Sequence, residues 1–407
     1  MLKSQTFLLR SLIAIIGLAF SWSYGHESTA RPTYAIRYGF TKCTTCHLSP
    51  VGGGPRNTVG KAFGLRSYSA SPYGSQDVWS VEVRGLYYLP KKTSSTKGGA
   101  GVMAGNLSAN LPVHVNEESK RKLRAVLSHN VGGLPGGAGS PREMYLRWEL
   151  KKDSDLKPQY ALLGRFVSPF GIPTDEHRTY TKLQTKSTWN DLDMGLLLSG
   201  GPDEFFHYDL AIVNGQKTSG TSMAQGNGAI WGGVLNLRLF SNSWPVAFGL
   251  SGLYYKKTSQ QKHSPSAGAA YVMMNLDKLT KEWIKGSLLT EYVVATGWNG
   301  SLSNFFFTDT KYEASVANSA SEGWYALLTW DFNERLSFNY KYDQFIPDRR
   351  FPADTYIRHG VGLKYYLGPN LFTLLRVEKA QATHPTEAKG TEKGSQDAAW
   401  SYLQFSI

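Results

Sequence analysis

Two cysteines, Cys43 and Cys46, are the only thiols in this 407-residue chain. A multi-disulfide framework and a four-thiolate zinc site are therefore excluded. Long apolar runs are equally scarce. Beyond the first 25 residues nothing approaches the ~18 continuous apolar positions that a spanning helix requires, so any membrane crossing would be made by strands. Charge is sparse, at 18% of residues, and the excess of Lys and Arg over Asp and Glu (44 against 31) is dispersed along the chain. Without a concentrated basic patch, nucleic acid is not an expected partner.

Aromatic residues, by contrast, are plentiful: 23 Tyr, 11 Trp and 19 Phe, with 42 Gly. Mean hydropathy is nevertheless only −0.32. Many aromatics at low mean hydropathy suit a membrane β-barrel, in which apolar and polar positions alternate and average away.

The chain opens with Lys3 and Arg10 ahead of the apolar run Leu12–Phe20. Ser23-Tyr24-Gly25 then supplies small residues at the positions a signal peptidase reads, with Ser28-Thr29-Ala30 as a second choice. Residues 1–25 are expected to be a secretory signal peptide. Its removal takes two positive charges from a formal net of +13.

Just past it stands Cys43-Thr44-Thr45-Cys46-His47, the C-x-x-C-H spacing of a covalent c-type haem site. Two thiols so spaced reach the two vinyl groups of one porphyrin edge and form thioethers. The adjacent histidine falls beneath the ring, where its imidazole can ligate the iron. Cys43 and Cys46 are thus expected to hold one haem c, with His47 as the metal ligand. Two other readings exist: a Cys-x-x-Cys redox disulfide, which wants a βαβ surrounding the chain does not display, and a chance match. Export to an oxidising compartment, where haem attachment occurs, favours haem. A c-type haem mostly carries electrons unless an open iron site admits small-molecule chemistry.

The haem segment, residues 26–70, carries Pro32, Pro50, Pro55 and Gly52-Gly53-Gly54, so little regular structure is expected there. About 45 residues is also too few for an independent core, so the segment must lean on the haem and on the remainder of the chain.

From residue 78 onward the apolar period is two. Trp79, Val81, Val83 and Tyr87 alternate with Ser80, Glu82 and Arg84; Met144, Leu146 and Trp148 with Tyr145, Arg147 and Glu149. Phe206, Tyr208, Leu210 and Ile212 alternate with His207 and Asp209; Leu336, Phe338, Tyr340 and Tyr342 with Ser337, Asn339, Lys341 and Asp343. Such alternation puts one set on each face of a strand. Short polar turns (near 116–118, 152–155, 201–203, 241–243, 277–278, 333–334 and 368–369) alternate with longer connections. These are 91–99, 132–141, 169–187, 215–227, 257–266, 296–320, 346–354 and 380–396. The fold class expected is all-β: an outer-membrane antiparallel β-barrel of about 16 strands over 78–407, both termini periplasmic, behind a short monohaem cytochrome c segment. A soluble β-sandwich is the competing fold.

The even count holds only if 169–187 is one long loop, which we expect to fold into the barrel as a constriction; a strand within Thr179–Gln184 would break the parity. The final segment Ala399–Ile407 resembles a C-terminal strand read by outer-membrane insertion machinery, although it ends in Ile407 rather than an aromatic. About eight residues separate Ala70 from the first strand, an extended reach under ~30 Å, so a haem there would lie at the periplasmic mouth or in the lumen.

The run Pro32–Tyr38, the motif Cys43–His47 and the stretch Asn57–Phe63 resemble the fused monohaem cytochrome–porin family of outer-membrane proteins. Ile36 stands where that family often has a basic residue, and Leu48–Gly54 replaces its usual spacing. The resemblance is sharp over about residues 30–64 and architectural beyond them. It implies thioethers at Cys43 and Cys46, His47 as proximal ligand, and electron transfer across the outer membrane. The implied partners are outer-membrane lipid, a periplasmic electron carrier and an extracellular redox partner such as Fe(II). A diffusion porin with a haem-bearing plug is the alternative, and an open-site haem enzyme such as a peroxidase a third; no catalytic residue is singled out. For the sixth ligand, His26, Met103, His114, His129, His177 and His207 are candidates, and Asp175, Glu176 and Glu313 are candidate oxygen ligands for ferrous ions.

Overall fold

In the computed structural model of the chain, the described residues are 79–90, 99–116, 121–133, 140–150, 160–172, 174, 176, 179–188, 191–201, 206–214, 231–239, 244–256, 264–281, 283–297, 319–333, 335–368, 371–383 and 398–406. Cys43, Cys46, His47 and the whole haem segment lie outside the described residues.

Sixteen strands succeed one another: β1 (Trp79–Pro90), β2 (Gly99–Asn116), β3 (Arg121–Gly133), β4 (Ser140–Glu149), β5 (Tyr160–Val167), β6 (Leu192–Gly200), β7 (Phe206–Val213) and β8 (Gly232–Leu239). The second half comprises β9 (Val246–Tyr255), β10 (Ser266–Asn275), β11 (Gly286–Thr296), β12 (Ala320–Asp331), β13 (Leu336–Ile346), β14 (Thr355–Gly368), β15 (Leu371–Thr383) and β16 (Ala398–Ser406). Each pairs antiparallel with its sequence neighbours, and β1 closes on β16 from Glu82↔Ser406 to Pro90↔Ala398. Closure leaves no open sheet edge, so every strand's backbone donors and acceptors meet a neighbouring strand. An even number of strands returns the chain to its starting side, here the terminal end. The longest connections, residues 168–191, 214–231 and 297–319, all leave from the opposite end.

The two-residue period sets the two faces. On β7, Leu210 and Ile212 point outward while His207, Asp209 and Ala211 are buried inside. On β13, Ser337, Asn339, Lys341 and Asp343 are the buried inward set. The outer belt is apolar: Leu250 is 63% exposed and Ile212 61%, a surface suited to lipid rather than water. Aromatic pairs flank the belt. Trp330 and Phe332 lie 5.0 Å apart towards the terminal end; Trp231 and Tyr254, 6.5 Å apart, lie towards the other. Aromatics at the two ends of the strands are what the interfacial girdles of a membrane barrel require.

Among the described residues, two short helices interrupt the pattern. One, α1 (Tyr180–Gln184), lies in the β5–β6 connection, where a strand would have spoiled the parity. The other, α2 (Leu276–Leu279), forms the β10–β11 turn, capped by Asn275 Oδ1 accepting from the Lys278 amide at 3.2 Å.

Candidate functional site

The β5–β6 connection does not project outward. It turns into the lumen and crosses to the far wall, as the constriction expectation required, with α1 lying against β11, β12 and β13. Its neck is pinned at Asp193, the second residue of β6, which accepts from Ser168 Oγ and, at 2.6 Å, from Tyr255 Oη. Gly171 comes next with φ +70°, a left-handed conformation that glycine adopts without strain. Its carbonyl accepts from Asn236 Nδ2 at 3.1 Å, and the neighbouring amide, Ile172, donates to Glu291 Oε1 at 2.5 Å. Lys182 reaches back from α1, donating to the Phe170 carbonyl and lying 3.7 Å from Glu291. Burial pushes the Lys182 ammonium below the usual lysine value, while the Glu291 carboxylate pulls it the other way.

Farther along, Glu176 meets the opposite wall. Its carboxylate takes a two-pronged grip from Arg376, both N···O distances being 2.9 Å, and a third donor from Lys341 at 3.3 Å. Fork-to-fork pairing of this kind fixes direction as well as distance. Behind it the wall carries its own charge lattice: Asp343 lies 3.2 Å from Lys341 and 2.6 Å from Arg358. Glu378 stands within 4.0 Å of Lys341, Arg358 and Arg376. Thr179 caps α1 by accepting from the Lys182 amide at 3.3 Å, and Arg358 lies 4.6 Å above the Tyr180 ring. Gln184 approaches the β12 backbone closely at Gly323, where an added Cβ would sit 3.0 Å from its amide nitrogen.

The loop is therefore held inside the barrel by specific polar contacts to β6, β8, β11 and β15. Replacing Glu176 by Gln should remove about 2 kcal/mol of loop docking, because Arg376 and Lys341 then face a neutral partner. Hydrogen exchange of the α1 amides is the measurement; unchanged protection in Glu176→Gln would show that the clamp holds nothing.

The structure brings some candidate ligands into view. His207 is buried inside β7 near the terminal end, its Nε2 3.2 Å from Asp209 Oδ1 and 3.5 Å from Ser199 Oγ. His129 is exposed on the same face of β3 as Leu127, the outer one, and so faces away from the lumen. His26, His177, Asp175 and Glu313 lie outside the described residues, as do the side chains of Met103 and His114. Glu176 pairs with Arg376 and Lys341. Among the described residues no group of three or more His, Cys, Asp or Glu is placed to hold a metal ion.

Sequence reasoning missed the partners of the loop. Glu291 and Arg376 look like any other inward polar residues of β11 and β15; only the loop's path gives them a role.

No protein-family model matches the chain, and no curated protein matches it. Solved structures do. The chain is similar to the outer membrane channel DcaP of Acinetobacter baumannii, at 11% identity over 81% of this chain and 96% of that one, with a TM-score of 0.54. It is similar to OprB of Pseudomonas putida at 9% identity over 81% and 94%, with a TM-score of 0.55. An anion-selective porin from Comamonas acidovorans matches at 10% identity over 81% and 99%, with a TM-score of 0.52. At these identities the likeness is one of fold: the barrel is porin-like, of the outer-membrane type.

Proposed function

We propose that this protein is an outer-membrane cytochrome in which a porin-like barrel carries one covalent haem c. Cys43 and Cys46 would form the thioethers and His47 would ligate the iron from below. The donor set supports this by its chemistry: two thiols and an imidazole at C-x-x-C-H spacing, with no other cysteine in the chain. When bound, the haem supplies a one-electron iron couple in an otherwise insulating membrane. The chain's own residues position it. The observation that carries the reading is topological: Cys46 precedes Trp79 by 33 residues, and Trp79 enters β1 at the terminal end, beside the end of β16. On an outer-membrane orientation that end is periplasmic, so the segment starts beside a soluble carrier while the far loops face outside. Electrons would then pass between an extracellular partner, Fe(II) being one donor, and the carrier without iron entering the cell.

The test is optical. Full-length protein made with the haem-attachment machinery should show a Soret band and a haemochrome that survives denaturation, and Fe(II) should reduce it in stopped flow at neutral pH. A colourless product sinks the reading; a coloured one that Fe(II) leaves oxidised removes iron as donor. The diffusion-porin reading draws on the barrel's polar, charged lumen, and a large open conductance together with redox silence would favour it.

A further inference from the structure

The apolar outer face gives way to a polar one on β13, β14 and β15. Arg358 and Glu378 are buried inward, so their sequence neighbours His359 and Lys379 lie on the outer face. The ladder sets His359 directly opposite Lys379 on one side and Tyr342 on the other, one polar rung across three strands. One and two outward rungs nearer the terminal end stand Val361↔Val377 and Leu363↔Leu375, all four exposed and apolar. On the rung beyond His359, Gln344 and Gln381 flank Ile357. The apolar belt of these strands therefore ends between Val361 and His359.

The rung carries donors and leaves them open. Tyr340 Oη lies 2.8 Å from His359 Nδ1, and the Tyr342 ring is 5.4 Å from the imidazole, centre to centre. With the phenol donating, the imidazole hydrogen sits on Nε2, which meets no acceptor among the described residues. Lys379 is exposed and makes no ion pair among the described residues. A cation on the lipid face is costly at mid-membrane and nearly free of cost at headgroup depth, so the rung marks that depth. It lies towards the end opposite the termini, since β14 starts there at Thr355. On the outer-membrane orientation that end meets the outer leaflet, whose lipids are phosphorylated glycolipids. An ammonium beside an N–H donor suits a phosphate, which accepts charge-assisted hydrogen bonds from both.

We propose that His359 and Lys379 form a site on the lipid-facing wall for the phosphate of an outer-leaflet glycolipid. Lys379 supplies the charge and His359 Nε2–H a donor whose tautomer Tyr340 sets. Val361 and Val377, one rung deeper, meet the acyl chains of the same lipid. Continuity with the apolar belt selects a lipid over a soluble anion, because headgroup and chains are then bound side by side. The site rests on the barrel alone and stands or falls independently of the haem.

The experiment titrates the full-length protein in mild detergent with bisphosphorylated lipid A, and separately with phosphatidylglycerol, and counts adducts by native mass spectrometry. Wild type should hold lipid A. A His359→Phe, Lys379→Gln double variant that keeps its heat-modifiable mobility should bind it about tenfold more weakly, having lost two charge-assisted contacts. Should the double variant fail to fold, Lys379→Gln alone, at an exposed position, should still weaken binding about threefold. Lys278→Gln, an exposed cation of the β10–β11 turn at the terminal end, should leave binding unchanged. Undiminished lipid A binding in the folded variants, or an equal loss in Lys278→Gln, overturns the site. Phosphatidylglycerol bound as tightly as lipid A, with the same dependence on positions 359 and 379, overturns the glycolipid as its occupant. A multimer in wild type that falls to monomer in the double variant makes the rung a contact between copies and likewise overturns the proposal.

Discussion

Serine in place of both Cys43 and Cys46 should yield a folded, heat-modifiable barrel with no covalent haem: no Soret band after denaturing extraction and no reduction by dithionite or Fe(II). The expected loss is complete because a thioether needs its thiol, and the chain holds no other cysteine to substitute. The barrel should persist because its ring closes through β1 and β16 and its inner loop is held by β5, β11 and β15, all beyond residue 78. A second variant separates attachment from ligation. His47→Met keeps both thioethers and exchanges imidazole for a thioether sulfur, which raises the reduction potential by on the order of 0.1 V. If the doubly substituted protein still carried covalent haem, or if His47→Met left the potential in place, the motif would not be the haem site. Redox titration in detergent reads the second outcome without reference to any physiological donor.

The barrel was legible in the sequence because strands such as β7 and β13 obey one local rule. Leu210 and Ile212 outside with His207 and Asp209 inside is a two-residue alternation that any correct fold must respect. The alternating short and long connections then gave parity, and parity gave the shared side of the termini. The rule is weaker on β5, where Tyr160, Leu162 and Phe166 are apolar although inward, while Leu163 is apolar and outward. There the lumen side is not wet: the inner loop lays Phe170 over it and turns it into a core. A periodicity argument assumes water inside and so misreads such a strand as apolar on both faces. The loop's anchoring was invisible for a different reason. Glu176 and Arg376 are 200 residues apart, and Ile172 and Glu291 are 119 apart. No local pattern encodes such a pairing; it arises only once the ring has closed and set β11 and β15 across from β5. Helix α1 likewise spans five residues, too few to announce itself by periodicity, and is fixed by the Thr179 cap and by packing on the wall.

Gly171→Val should release the inner loop from the wall and raise single-channel conductance severalfold, with the barrel itself intact. Valine has no comfortable place at φ +70°, and its Cβ would fall on the Glu291 carboxylate and 2.9 Å from Lys182 Nζ. The carboxylate cannot retreat freely, since it is buried and accepts from the Ile172 amide and pairs with Lys182. Backbone strain and a broken buried charge pair together cost about 4 kcal/mol, enough to shift the docked loop's equilibrium nearly a thousandfold. The strands should survive because Gly171 lies outside β5 and β6 and none of their ladder hydrogen bonds pass through it. Gly85→Ala is the matched control, on β1 with nothing within 4 Å of the added methyl, and should leave conductance and stability unchanged. Glu291→Leu tests the same lock from the wall: it leaves the Ile172 amide without its acceptor and the Lys182 ammonium without its counter-charge, and should open the channel as Gly171→Val does. Planar-bilayer recordings of the three proteins decide the matter, for a Gly171→Val channel no wider than wild type would mean that the loop is held elsewhere along its length and that Glu291 is only a wall residue.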